Sequence, residues 1–240
     1  MSVKKYFQLV ENEDRSAELY IYGDITSWRW VESDVSSYTL SRALRSLDAD
    51  RITVYINSYG GEVAEAAAIY NQLKNNKAHI TTVCDGFACS AASVIFMAGD
   101  ERLMNNASRL MIHNAMSSAY GNAQEMRKAA DDLENINGIG ISAYMEYVSI
   151  SQEELQELMD AETWIKPEDA VSMGFATGIV STSDTSSPSQ SALPLVIAAV
   201  DRETASGDPP PAPSVQTVPD KPKQKTVSTF LDALAGRGKE

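Results

Sequence analysis

The chain has 240 residues and a formal net charge of -13, with 33 acidic against 20 basic side chains. That balance excludes a nucleic-acid backbone as the main partner, because phosphate binding requires a concentrated Lys/Arg surface. Two cysteines (Cys84, Cys89) and two histidines (His79, His113) would all have to be spent on a single four-ligand structural zinc site, so no metal site is expected, and in an intracellular chain the thiols stay reduced.

The N-terminal extension, residues 1–17, turns polar before a signal-peptide core could develop. "ELYIYGDI" (18–25) reads as the opening strand, and "SSYTLSRALRSL" (36–47) as an amphipathic helix with Leu40, Ala43, Leu44 and Leu47 on one face. "RITVYINS" (51–58) is a β-branched and aromatic strand stopped by "YGG", and "EVAEAAAIYNQLKNN" (62–76) is the next helix. "HITTVCDG" (79–86) is a strand followed by the helix "SAASVIFMAG", so strand and helix alternate as in a parallel α/β sheet. "SRLMIHNA" (108–115) is a further short strand.

Residues 122–148 have helical periodicity, with a break expected at Gly138 and Gly140. "SQEELQELM" (151–159) opens with a capping-box pair, Ser151 and Glu154, and "KPEDAVSMGFATGIV" gives Pro at the first helical position and a Gly exit into a last strand. Eight of the nine prolines fall in 182–240, a Pro/Ser-rich stretch that reads as a flexible tail, with a short helix expected at "STFLDALAGRGKE". Its longest apolar run, "ALPLVIAAV" (192–200), is too short to span a bilayer of about 30 Å. The expectation is a cytoplasmic protein without membrane insertion.

Chemistry concentrates in three short stretches. "GFACSAAS" (86–93) sets Ser90 at a strand-to-helix turn, where helix amides can stabilise an oxyanion and the small neighbours Ala88, Ala91 and Ala92 let a substrate approach. The same serine would serve equally as a helix N-cap. Cys89 reads as a small packing residue, and Ser93, one turn on, should face elsewhere. "MIHNA" ends a strand in His113, a residue type whose most frequent chemical duty is acid-base work, whereas His79 reads as solvated. "NSYGGEV" supplies a glycine pair able to present an unhindered backbone N–H.

In order and spacing these stretches resemble the Clp-type serine peptidase family: "INSYGGEV", Ser90 29 residues after Gly61, His113 23 residues after Ser90, and "ETWIKPEDAVSMGFATGI". The resemblance covers residues 18–181. It implies an α/β fold, a Clp/crotonase-like superhelix of repeated β-β-α units with a protruding helical handle, to which composition adds the disordered tail at 182–240. It implies Ser90 as nucleophile, His113 as general base, and the Gly61 and Ala91 amides as oxyanion hole, with no cofactor. The third triad member falls two residues before Trp164, at Glu162, with Asp160 as the alternative acid, because two residues apart on an extended segment both could face the same side.

Within the family the short N-terminal extension, "ETW" and the tail are similar to Clp-like head maturation proteases of tailed phages and prophages. The expected function is therefore a serine endopeptidase processing capsid or scaffold proteins, assembled as a homo-oligomeric ring or two stacked rings, with an ATPase partner in doubt. The alternatives are a general cytoplasmic Clp-type proteolytic subunit working with an ATP-driven unfoldase, an assembly protein with vestigial activity, and a crotonase-type acyl-CoA enzyme.

Overall fold

A computed structural model describes residues 9–12, 14–27, 34–45 and 47–180. The expected tail and its terminal helix lie outside the described residues. Eight strands form one mixed sheet: β1 (Leu9–Glu11), β2 (Ser16–Ile21), β3 (Arg51–Ser58), β4 (His79–Cys89), β5 (Glu101–Met104), β6 (Arg109–Ile112), β7 (Thr163–Ile165) and β8 (Gly178–Ile179). The helices are α1 (Ser37–Arg45), α2 (Val63–Lys74), α3 (Ala91–Phe96), α4 (Ala123–Met145), α5 (Gln152–Asp160) and α6 (Pro167–Met173). The α/β class expected from the alternation holds. The strand order is that of one largely parallel sheet, and a β-β-α superhelical repeat is not evident among the described residues.

The sheet runs β1-β2-β3-β4-β5-β8, and β4 forks. Its first half, Thr81–Cys84, pairs parallel with β5, while its last residues, Phe87–Cys89, pair parallel with β6. The fork follows a register shift between β3 and β4 at Ile56/Ser58. By redirecting the end of β4 it makes the residues after β4 and after β6 emerge side by side. Strands β5 and β7 had no counterpart in the sequence reading, because runs of four and three residues are too short to show a period.

The alternating burial of β2 and β3 turns Leu19, Ile21, Val54 and Ile56 into a core shared with Ile69 and Leu73 of α2 and Ile95 and Phe96 of α3. Each such fully buried aliphatic side chain contributes roughly 1.5–3 kcal/mol. On the opposite face Tyr20 and Tyr55 stack at 5.0 Å and stay half-buried.

Helix α4 corrects one expectation. It continues unbroken through Gly138 and Gly140. Each glycine costs about 1 kcal/mol against alanine in a helix interior. A full capping box at Asn122 and Glu125 and the burial of Gly140, Ala143 and Tyr144 against the body offset that. Its first turns, 123–128, are wholly exposed, so the N-terminal part of α4 projects. The pair singled out at 151–154 forms only half a box: Ser151 Oγ accepts from the Glu154 amide at 3.1 Å.

The turn after β3 needs its glycines. Gly60 and Gly61 have φ of 104° and 145°. Ile25 clamps the turn from both sides, its amide donating to Gly60 O at 2.9 Å and its carbonyl accepting from Glu62 N at 2.7 Å. A Cβ on Gly61 would run into that same Ile25 carbonyl. Gly61→Ala is therefore expected to destabilise the chain by about 2–3 kcal/mol, read as a fall in the midpoint of chemical unfolding; an unchanged midpoint would show that the turn relaxes freely.

Candidate active site

Ser90 sits between β4 and α3 with φ 54° and ψ -126°, a conformation L-residues rarely adopt. Such strain costs of order 1–3 kcal/mol and persists only where the surroundings enforce it. Here the Ser90 amide donates to Met111 O at 2.8 Å, tying the turn to β6 two residues before His113. The serine side chain makes no capping hydrogen bond to α3. It turns instead to His113, whose Nε2 lies 2.7 Å from Ser90 Oγ. With the ring proton on Nδ1, Nε2 accepts from the serine hydroxyl, the arrangement in which a base takes the proton of an attacking serine. The N-cap reading of Ser90 therefore gives way.

The other candidates near the turn separate cleanly. Ser93 is buried; its hydroxyl donates to Ser90 O at 2.5 Å and takes the Tyr144 hydroxyl at 2.7 Å, facing away from His113 as expected. Burial pushes the Cys89 thiol up to about 11 and the Cys84 thiol up to about 12, so neither ionises near neutrality. His79 is exposed, with Nδ1 3.4 Å from Asp100 Oδ2 and no link to the site.

The glycine turn closes on the serine. A Cβ on Gly60 would stand 2.7 Å from Cys89 O, 2.8 Å from Ser90 Cβ and 3.0 Å from the Ala91 amide. The Gly60–Gly61 backbone thus packs directly against the start of α3. Among the described residues the Gly61 and Ala91 amides donate to no protein acceptor, which leaves them free for an oxyanion. Glu62 braces the turn through Ser27 Oγ at 2.8 Å and Thr26 Oγ1 at 2.8 Å.

The acid is where the structure brings the expected residues less closely together. Among the described residues no carboxylate hydrogen-bonds His113. Asp160, the last residue of α5 rather than part of an extended segment, accepts from Asn114 Nδ2 and Gln156 Nε2, each at 2.7 Å. Glu162 is exposed and takes a left-handed φ of 50° just past the helix end. The antiparallel β6–β7 ladder pairs Leu110 with Ile165, Met111 with Trp164 and Ile112 with Thr163. Continued by one step, that register sets His113 opposite Glu162. Asn114 and Gln156 had no recognised part in the sequence reading; Asn114 stood next to His113 in the quoted stretch, but nothing local joined it to residue 160.

Several carboxylates around this framework are held below their ordinary range. Glu62 is lowered by the Ser27 and Thr26 hydroxyls, Glu146 by Lys74 and Tyr70, and Asp160 by Asn114 and Gln156. A carboxylate depressed by folding stabilises the fold above its unfolded value and loses that contribution as pH falls through the folded one. Thermal midpoints are expected to be flat above about pH 5 and to decline below about pH 4; midpoints that rise on acidification would contradict the assignment.

A cleft of about 950 Å³ lies over the glycine turn, lined by Tyr59, Gly61, Val63, Met116, Leu133 and Ile139, and shares Val63, Ala115 and Ile136 with the smaller pocket that Ser90 and His113 line. No described helix is long and apolar enough to cross a membrane. The sequence model of the Clp protease family matches residues 11–183. The ATP-dependent Clp protease proteolytic subunit of Deinococcus radiodurans is 31% identical over 156 residues, covering 62% of this chain and 76% of the relative. ATP-dependent Clp protease proteolytic subunit 1 of Cutibacterium acnes is 31% identical over 157 residues, covering 62% and 73%.

Proposed function

The chain belongs to the Clp protease family, and from that premise we propose that it is a proteolytic subunit, a serine endopeptidase acting on protein substrates in the cytoplasm. The observation that carries the reading is the 2.7 Å approach of Ser90 Oγ to His113 Nε2 on a strained turn beside two undonated amides. Ser90 Oγ bonds to the peptide carbonyl carbon while its proton passes to His113 Nε2. The oxygen of the tetrahedral intermediate is received by the Gly61 and Ala91 amides. His113 then gives the proton to the departing amine, and water releases the acyl group by the same steps in reverse. Glu162 is the acid that would hold the His113 tautomer. No step calls on a cofactor.

We extend the proposal to the superhelical β-β-α arrangement and to assembly into rings, both of which the resemblance implies. Assembly is supported by the half-buried Tyr20–Tyr55 face of a mostly parallel sheet, since parallel strands are normally covered on both faces, and by Met126 exposed on the projecting first turns of α4. Sedimentation is expected to give a mass several times 26.1 kDa; a monomer throughout the micromolar range would overturn it.

The names of both relatives favour a general subunit that works with an ATP-driven unfoldase over the prohead-maturation role that the sequence alone suggested. The experiment offers the purified chain a short fluorogenic peptide, a folded protein with and without a Clp-type ATPase and ATP, and assembled capsid or scaffold protein. Peptide cleavage without ATP, protein degradation only with ATPase and ATP, and fluorophosphonate labelling of Ser90 are expected. Cleavage of capsid or scaffold protein without ATP would restore the head-maturation reading, and absence of labelling would overturn the enzyme.

A further inference from the structure

A second, much smaller pocket opens beside the nucleophile. It holds about 30 Å³ and is walled by Val63, Val94, Ile136, Gly140, Tyr144 and Met159, with Ser90, Ala91 and His113 at its mouth. The Ala91 amide that would receive the carbonyl oxygen belongs to that mouth. The group in reach of the pocket is therefore the side chain on the carbon attached to the attacked carbonyl. We propose that this pocket restricts the residue on the acyl side of the cut to alanine or serine, an inference that rests on the proteolytic reading above and names its substrate class.

Three features set the size. Gly140 widens the space: a Cβ there would stand 3.4 Å from the Tyr144 ring and 3.9 Å from Val94, two other walls of the pocket, and would narrow it. Gly138, by contrast, has nothing within 4 Å of such a Cβ. Tyr144 closes the floor. It is buried, its hydroxyl is tied to Ser93, and its ring meets Phe175 edge-on at 5.6 Å, which holds it against swinging aside. Asn137 closes the roof, its Oδ1 accepting from the Ala115 amide at 2.6 Å and so fastening the segment after His113 to α4.

About 30 Å³ is room for one or two waters or a small group, well short of the order of 150 Å³ of a cavity that takes benzene. The polar side chains of the wall, Asn137 and Tyr144, already have partners within the protein. A charged side chain would enter without a counter-ion, and an unpaired charge in an apolar cavity is strongly disfavoured.

The test uses the full chain, a fluorophosphonate label on Ser90, and fluorogenic peptides identical except for Gly, Ala, Ser, Val, Leu, Phe or Lys before the cut. kcat/KM is expected to be highest for Ala and Ser and at least about tenfold lower for Leu, Phe and Lys, as one surplus methylene in a closed pocket changes rates by roughly tenfold or more. Gly140→Ala fills the pocket and is expected to erase the advantage of Ala over Gly, with a thermal midpoint at or above the parent's because alanine replaces glycine inside a helix. Ile136→Ala, at a partly exposed position, is the independent second variant and is expected to raise cleavage after Val and Leu about tenfold. A labelled, active enzyme with a flat or Leu-preferring profile overturns the pocket assignment and leaves the proteolytic reading standing. No labelling and no cleavage of any peptide overturns the proteolytic reading itself.

Discussion

Ser90→Ala and His113→Ala are each expected to lower kcat/KM for peptide hydrolysis by about 10⁴-fold or more, with the fold retained. The size follows from the way the pair works. Without the hydroxyl no acyl-enzyme forms, and without the imidazole the serine proton has no acceptor, so either loss removes the same step and the double variant falls little further. Retention of the fold follows from the local structure. Ser90 is held by its backbone, through the amide bond to Met111 O and the Ser93 hydroxyl on its own carbonyl, and both survive truncation of its side chain. The check is peptide turnover measured beside circular dichroism. A His113→Ala enzyme within tenfold of the parent would mean that the 2.7 Å contact is not the proton path.

Glu162→Gln is expected to lower kcat/KM by about 10³-fold, and Asp160→Asn by less than tenfold. Asp160 already accepts two amide donors, from Asn114 and Gln156, and these hold its carboxyl below the usual range, so its lone pairs serve the α5–β6 junction. Glu162 stands where the β6–β7 register points at His113, and its side chain makes no hydrogen bond among the described residues. It also occupies a left-handed position where glycine is favoured over other residues by about 1 kcal/mol. Glu162→Gly separates the two roles of the position: stability is expected to rise by about 1 kcal/mol while activity falls with the loss of the acid. An active, more stable Glu162→Gly enzyme would reduce residue 162 to a helix end, and an Asp160→Asn variant more damaged than Glu162→Gln would move the acid to Asp160.

The candidate serine and histidine were legible in the sequence through short local stretches, each weak alone and telling only in their order and spacing. A serine among small residues at a strand-to-helix junction, a histidine closing an apolar strand and a glycine pair after another strand each show in a few adjacent residues. The acid was less legible. Asp160 and Glu162, taken as neighbours on one extended segment, fall on either side of a helix end, and which of them can face His113 depends on the antiparallel pairing of β7 with β6 across some fifty residues of chain. The break expected in α4 failed for a related reason: glycine propensity is a local penalty, and the packing of Gly140 and Tyr144 against α3 outweighs it.

By itself the sequence determined most of the strands and helices between residues 18 and 180, the apolar face of α1 around Leu40 and Leu44, and the turns that carry Ser90, His113 and Gly61, because side-chain period, turn chemistry and residue size act over a few residues. Only the tertiary structure decided that β4 forks and so sets Ser90 beside His113, that Asp160 is occupied by Asn114 and Gln156, and that Gly140, Tyr144 and Val94 wall a small pocket next to Ser90. Those outcomes depend on which distant surfaces meet and how closely they pack. Pairing register and close packing are properties of the assembled core, and no short window of the chain encodes them.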